Sequence, residues 1–492
     1  YAGRCQIGRS PFQRLARSTS LRSFKAMKTL PAIILLLLCA ILQAEEVRKP
    51  NVLFIAIDDM NDGITLFGED RPFKTPHIRA LARRGVFFSR AYCPSAACNP
   101  SRAAILSGRR PHNTGIYGNS TDWRAATRGV LTLPAYFGKH GYYTTGFGKI
   151  YHHKGDGAFN DPGAWDHFRK MDAQYMPVKK LNGAPGYGSR NTDWGAWPKD
   201  SEETQTMDYK SVSYAIEVLK KKHDKPFFLA CGIFKPHSPF FAPMKYHDLY
   251  DEEIALPERK QDDWADLPTG ASRLMGSKKW FWNGMMKVEG EQKGSYRDFI
   301  RAYAACCSFA DSSVGRLVSA LDAGGHGKNT VIVLWSDHGF HLGEKNHIEK
   351  FALWEKANHV PFIIVDPRKA QSAGKTCVHP VDLMAIYPTL LELCGLPANE
   401  TNDGISIAAQ LTDPGRVLSR PALMTYGFNN HAVRTARWRY IRYADGTEEL
   451  YDHERDPHEW NNLTSDPAFG QVVSNHAKWL PLNNAKAHGN LR

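Results

Sequence analysis

PNVLFIAIDD, Pro50 to Asp59, is apolar without a break from Val52 to Ile57 and ends in two acids. Such a run cannot alternate between core and solvent, so a strand built from it is covered on both faces. PFFLACGIFKPH (Pro226–His237) and TVIVLWSDHG (Thr330–Gly339) repeat the pattern, and YYTTGFGK is a shorter strand running into Lys149. Between them TPHIRALARRG predicts a helix, with Thr75 as N-cap, Pro76 at its first position and Gly85 after its end. Phe299, Tyr303, Ala310, Val314, Leu317 and Leu321 keep helical spacing until Gly324-Gly325. Buried strands separated by helices predict an α/β layer fold with helices on both faces.

The stretch from Tyr151 to Lys210, rich in Gly, Trp, Asp and Pro, reads as irregular loops too polar for the sheet, shaping one rim. WRYIRYADGTEELYD alternates around Asp445-Gly446 and predicts a hairpin, hence a small antiparallel C-terminal subdomain. The expected organisation is a catalytic domain over 45–410 and this subdomain over 411–492.

The chain starts at Tyr1, and Met27 is the better start, so residues 1–26 are read as a non-native upstream extension. Lys28, an apolar run from Ala32 to Leu42 and a small Ala44 predict a cleaved secretory signal peptide over 27–44. A lipoprotein or an uncleaved anchor is the other reading of that segment. No other stretch reaches the ~20 apolar residues of a membrane helix, so stable membrane insertion is not expected. Residues 1–44 carry seven of the basic residues and no acid, so the formal +13 falls to +6 without them. Such a mild excess suits an anionic substrate, and the absence of basic tracts with interleaved aromatics argues against nucleic acid. Past residue 44 stand seven cysteines, with no CxxC pair, so at least one lies outside intramolecular bridges.

In open α/β sheets ligands bind beyond the carboxyl ends of strands. Four such ends carry unusual polar groups: Asp58-Asp59, Lys149 with His152, Lys235 with His237, and Asp337-His338. Asp58, Asp59 and Asp337 offer oxygen ligands suited to a hard dication, Ca²⁺ ahead of Mg²⁺. His338 leaves a zinc reading of DHGFHLGEKNH open. Cys98 stands in YCPSAACNPSRAAILSGRRP, where Pro100 marks the first turn of a helix whose free N–H groups favour an anion.

CNPSRAAILSGR resembles the Cys-x-Pro-Ser-Arg signature of the type I sulfatases, with its following Gly-Arg pair. NVLFIAIDD, GKIYHHKG, KPHSPF, SDHGFHLGE and ELYDHERDPHEWNNL have counterparts in the same family, and GRRPHNTGIYGN looks closest to its iduronate 2-sulfatase branch. The resemblance implies an alkaline-phosphatase-like sulfatase fold, with a large mixed sheet, and sulfuric ester hydrolysis. It implies that Cys98 is oxidised to Cα-formylglycine (3-oxoalanine) by a formylglycine-generating or anaerobic sulfatase-maturating enzyme. One hydroxyl of the hydrated aldehyde then attacks sulfur, and the second expels sulfate; a plain thiol has no second hydroxyl to do so. By the same resemblance Asp58, Asp59, Asp337 and His338 join residue 98 around Ca²⁺. Arg102 holds the hydrate with help from His152, Lys149 and Lys350 clamp the sulfate, His237 protonates the leaving oxygen, and Lys235 binds substrate. Lys345 replaces a histidine common in the family, which implies a rim there suited to a different sugar. The expected substrate is a sulfated carbohydrate, glycosaminoglycan or algal. A phosphomonoester, phosphodiester or phosphonate hydrolase on the same fold is the first alternative, and a non-catalytic glycan-binding relative the second.

Overall fold

In the computed structural model, which describes residues 49–152, 161–173, 177, 181–182, 192–197 and 203–488, the first apolar run forms strand β1 (Asn51–Asp58). It lies within an eight-stranded sheet. The other members are β2 (Val86–Phe88), β3 (Tyr143–Gly148), β4 (His167–Arg169), β5 (Phe227–Pro236), β6 (Thr330–Ser336), β7 (Phe362–Val365) and β8 (Lys375–Cys377). Their order is β8-β2-β7-β6-β1-β5-β3-β4. β1 runs parallel to both neighbours, with Val52 opposite Phe228 and Val331. β3 extends the parallel set, whereas β7 is antiparallel to β6 and β2, so the sheet is mixed. The carboxyl ends of β6, β1, β5 and β3 therefore share one edge.

Side chains alternate along β1 into two separate cores. Leu53, Ile55 and Ile57 pack with α1 (Pro76–Ala82), α3 (Met207–Leu219) and α5 (Ser295–Ala323) through residues such as Leu81, Val212, Phe299 and Val314. Val52, Phe54 and Ala56 face α2 (Cys98–Ser107) and α6 (Ile386–Leu393), against Ile105, Leu106 and Leu390. Helix α4 (Trp280–Glu291) leads into α5. Burying each such Leu or Ile stabilises the fold by roughly 1.5–3 kcal/mol, so both covered faces of β1 contribute.

Two sequence expectations change. His167–Arg169 lies within the stretch expected to stay outside the sheet, yet it forms edge strand β4 beside β3. Its side chains are exposed or half-buried, as an edge strand permits, and polarity alone did not exclude pairing. Thr75 does precede α1, but its hydroxyl pairs with Thr65 rather than the helix. Asp311 from α5 takes over the cap, accepting the N–H groups of His77 (3.1 Å) and Ile78 (2.7 Å).

The predicted hairpin belongs to a four-stranded antiparallel sheet of β9 (Ala422–Thr425), β10 (His431–Arg434), β11 (Trp438–Arg442) and β12 (Glu448–Asp452). One of its faces packs on Tyr92 and Trp354. Buried Glu355 fastens it further, accepting from Tyr92 Oη (2.8 Å), Arg434 Nε (3.1 Å) and Arg439 Nε (3.2 Å). Burying these charges is tolerable only because each is paired. Among the described residues no helix is long and apolar enough to cross a membrane. The segments expected as upstream extension and signal peptide lie outside the described residues, and the seven described cysteines are buried free thiols.

Candidate active site

Local backbone geometry aims each group at the shared edge. Asp59 follows β1 in a left-handed conformation (φ 63°). Tyr303 holds that turn by donating to the Asp59 carbonyl (2.6 Å) and accepting the Asn61 N–H (3.1 Å). After β3 the chain presses on β5, where a Cβ on Gly232 would lie 2.1 Å from the Lys149 carbonyl oxygen. Only glycine leaves room for that approach, which sets where Lys149 points. At the end of β5, Asp208 accepts the N–H groups of Phe234 (2.7 Å) and Lys235 (2.9 Å) and fixes the start of the His237 loop.

Helix α2 delivers two more groups. Ala97 is extended, so the helix begins at Cys98, with Pro100 in the first turn where no N–H is needed. Cys98 and Arg102 are four residues apart and share a face. Arg102 donates through Nε to Asp337 (2.7 Å) and through Nη1 to the Ile150 carbonyl (3.2 Å). Ser101 Oγ donates to the Asp337 carbonyl (2.5 Å), so the helix and the end of β6 are locked together.

Around the Cys98 sulfur stand His338 Nε2 at 3.2 Å, Lys350 Nζ at 3.4 Å and Asp58 Oδ1 at 3.7 Å. His152 also interacts with that side chain. Lys149 pairs with Asp58, and Lys350 spans both Asp59 oxygens at 2.8 and 3.1 Å. Burial alone would raise the thiol, but Lys149, Lys350 and His338 outweigh it and hold Cys98 well below the ordinary thiol range. Burial likewise opposes the charged form of His338, yet Asp337 and Cys98 push it up to about 9. Burial pushes His152 down. Asp337 is pushed up to about 7 by burial and the charge of Asp58, against Arg102. The arrangement is a dense pocket of alternating charge built to hold an anion against a nucleophilic position.

The eleven residues given catalytic, substrate or metal roles from the sequence thus fall on this edge, and ten of them join one cluster. His237 is partly accessible, with 23% of its side chain exposed and Nε2 3.9 Å from Asp59, whereas Cys98, Asp58 and Asp337 have no exposure. Lys235 is turned inward and donates to the carbonyls of His237 (3.3 Å) and Pro239, so it shapes the loop. Lys345 does not line a rim. Its ammonium is buried on Asp263 (2.7 Å) and the Glu459 carbonyl, because an uncompensated lysine there would be costly. Sequence reasoning missed Ser101, Asp208, Tyr303 and the buried Glu349 beside Lys350. Tyr303 read only as a core position, and nothing local to Asp208 or Glu349 announced a role.

The donor set fits a divalent ion. One atom each from Asp58, Cys98, Asp337 and His338 lies within 4.8 Å of the others, as do atoms of Asp58, Asp59, Cys98 and His237. Three fully buried carboxylates at strand ends offer hard oxygen ligands. A second group, Glu355, His453 and Glu459, is already neutralised by Arg434 and Arg439.

Known proteins share this framework. A model of the sulfatase family matches residues 50–396, and one described as N-sulphoglucosamine sulphohydrolase, C-terminal, matches 343–485. The chain is 39% identical to a sulfatase of Formosa agariphila over 90% of its length and 88% of that protein. It is 30% identical to human iduronate 2-sulfatase, covering 70% of this chain and 69% of the relative. The solved phosphonate monoester hydrolase of Agrobacterium radiobacter superposes with a TM-score of 0.69 at 21% identity, over 87% of this chain and 94% of that one, a likeness of fold alone.

Proposed function

The chain belongs to the sulfatase family and is a sulfuric ester hydrolase, and from that premise we propose that it removes sulfate from sulfated carbohydrates in the manner of iduronate 2-sulfatase. In this reading residue 98 matures to formylglycine, and Asp58, Asp59, Asp337 and His338 hold a calcium ion. The observation that carries it is the Cys98 side chain at the head of α2, with His338 and Lys350 on it and three carboxylates around it. Hydrated formylglycine would supply one hydroxyl to attack sulfur and a second to release sulfate, and an ion held by Asp58, Asp59, Asp337 and His338 would neutralise charge on the sulfuryl oxygens.

The chain's own residues do the rest. Arg102, fixed by Asp337 and the Ile150 carbonyl, is held rigidly one helical turn from residue 98 and orients it. Lys149, paired with Asp58, and Lys350, on Asp59 and the Cys98 sulfur, both act on the charge at residue 98 and clamp the sulfate oxygens as charge builds. His152, kept neutral by burial, accepts a proton at residue 98. His237 donates through Nδ1 to the Ser238 carbonyl (2.7 Å), which leaves Nε2 toward the site; with a second proton on Nε2 the ring is the acid for the departing sugar oxygen. Lys235 supports the His237 loop. The reading includes export by the leader over 27–44 and maturation by a formylglycine-generating or anaerobic maturating enzyme.

Peptide mass mapping of residue 98 in exported protein, with 4-nitrophenyl sulfate and 4-nitrophenyl phosphate assayed side by side, tests this. An aldehyde at 98 with faster sulfate cleavage is expected. A thiol throughout active material would overturn the mechanism, and faster phosphate cleavage would favour the phosphate or phosphonate ester reading that the shared fold leaves open.

A further inference from the structure

A separate cavity of about 510 Å³ is lined by Arg259, Gln261, Lys279, Trp282, Asn283 and Asn346. That size suits a small-molecule ligand. The wall holds two cations, three carboxamides and an indole, and no carboxylate. Arg259 lies over the rings of Trp282 (5.0 Å) and Tyr296 (5.3 Å), which orient it without cancelling its charge. Lys279 Nζ sits 3.4 Å from the centre of the Trp264 ring. Among the described residues neither cation has a carboxylate within ion-pair distance. Three acids of the surrounding segments are engaged elsewhere: Glu258 with His458 (3.4 Å), Asp263 with Lys345 (2.7 Å), and Glu289 with the N–H groups of Gly294 and Tyr296. Two oriented positive charges therefore face a cavity edged with hydrogen-bonding amides.

The cavity is tied to the reaction centre by one loop. Asn346 forms part of its wall, and Lys350, four residues on, touches Cys98. Four residues of chain reach at most about 14 Å, the scale of a short oligosaccharide. The loop is pinned on the cavity side, because Asn346 Nδ2 donates to the Lys260 carbonyl (3.0 Å) and Lys345 is buried on Asp263.

We infer that this cavity is a distal subsite for an anionic sugar residue, carrying a carboxylate or sulfate, of the same chain whose sulfate reacts at residue 98. The inference rests on the glycan sulfatase reading and adds to it a preference for polyanionic oligomers over single sugars. Binding there weakens with salt, since the contacts are charged and open to solvent.

The test is calorimetric titration of a heparin hexasaccharide into full-length protein carrying Cys98→Ala, with Arg259→Ala and Lys279→Ala added in a second protein. At least a tenfold rise in Kd is expected. Asn283→Asp, at an exposed wall position, adds a carboxylate without removing a packed ring and should weaken binding at least fivefold. Unchanged Kd in both variants, or no hexasaccharide binding to the Cys98→Ala protein, overturns the subsite. Failure of the catalytic reading is seen separately, as absent turnover of 4-nitrophenyl sulfate by matured protein, because the titration needs no turnover.

Discussion

Lys350 Nζ lies 2.8 and 3.1 Å from the two oxygens of Asp59 and 3.4 Å from the Cys98 sulfur. Asp59 and Cys98 outweigh burial and hold the ammonium charged far above the ordinary lysine range. A charge so placed serves both the carboxylate and whatever anion meets residue 98. Lys350→Met keeps the stem and removes the charge. Turnover of 4-nitrophenyl sulfate should fall by about 10²-fold or more, the scale seen when one transition-state donor is lost. Urea unfolding should show a loss of about 3–5 kcal/mol without added calcium, since Asp59 is left buried and unpaired. Wild-type kcat in this variant would remove Lys350 from the sulfate clamp.

His237 as the proton donor makes a prediction about leaving groups. A phenolate such as 4-nitrophenolate departs without help, whereas a sugar alkoxide needs a proton in the transition state. His237→Gln should therefore cost about 10²–10⁴-fold on a sugar sulfate and far less on 4-nitrophenyl sulfate. Equal losses on both substrates, measured as kcat/KM, would point to positioning instead of proton transfer.

The proposed ion can be read without any assay of turnover. A ligand that binds only the folded chain raises its melting temperature with concentration. Adding millimolar calcium to chelator-treated protein should raise Tm by several degrees in the wild type. Asp58→Ala should abolish that rise, together with activity, because it removes a ligand shared by both donor groups. An identical calcium response in the two proteins would place the ion elsewhere.

The features legible in the sequence are those written into contiguous residues. The apolar run from Val52 to Ile57 announced a strand covered on both faces, and Asp58-Asp59, Lys149 and Asp337-His338 stood at strand ends that the parallel order then brought together. What stayed hidden depends on contacts across the chain. Asp311 caps a helix more than 230 positions away. Lys345 looked like a rim residue until its partner Asp263, 82 positions distant, took it inside. The short strand His167–Arg169 carries no apolar pattern, because an edge needs only free backbone groups to pair.

A pair of buried rings at the junction with the C-terminal sheet predicts how the fold responds to acid. His431, the first residue of β10, meets His112 edge to face at 6.0 Å, and its Nδ1 bonds Thr425 Oγ1 at 2.9 Å. Burial, and His112 beside it, push His431 down to about 3, while burial and Arg110 push His112 down to about 4. Both folded values lie below the ordinary histidine value, so between pH 6.5 and 4 the unfolded chain binds more protons. Stability from these rings is complete above about pH 6.5 and is lost as pH falls toward the folded values, on the order of 2 kcal/mol per ring by pH 5. His431→Gln keeps a polar group for Thr425 but cannot take up the proton. Urea unfolding at pH 7.5 and pH 5 should show the variant losing about 2 kcal/mol less than the wild type over that interval. Equal losses in the two proteins would mean that His431 does not drive acid unfolding at this junction.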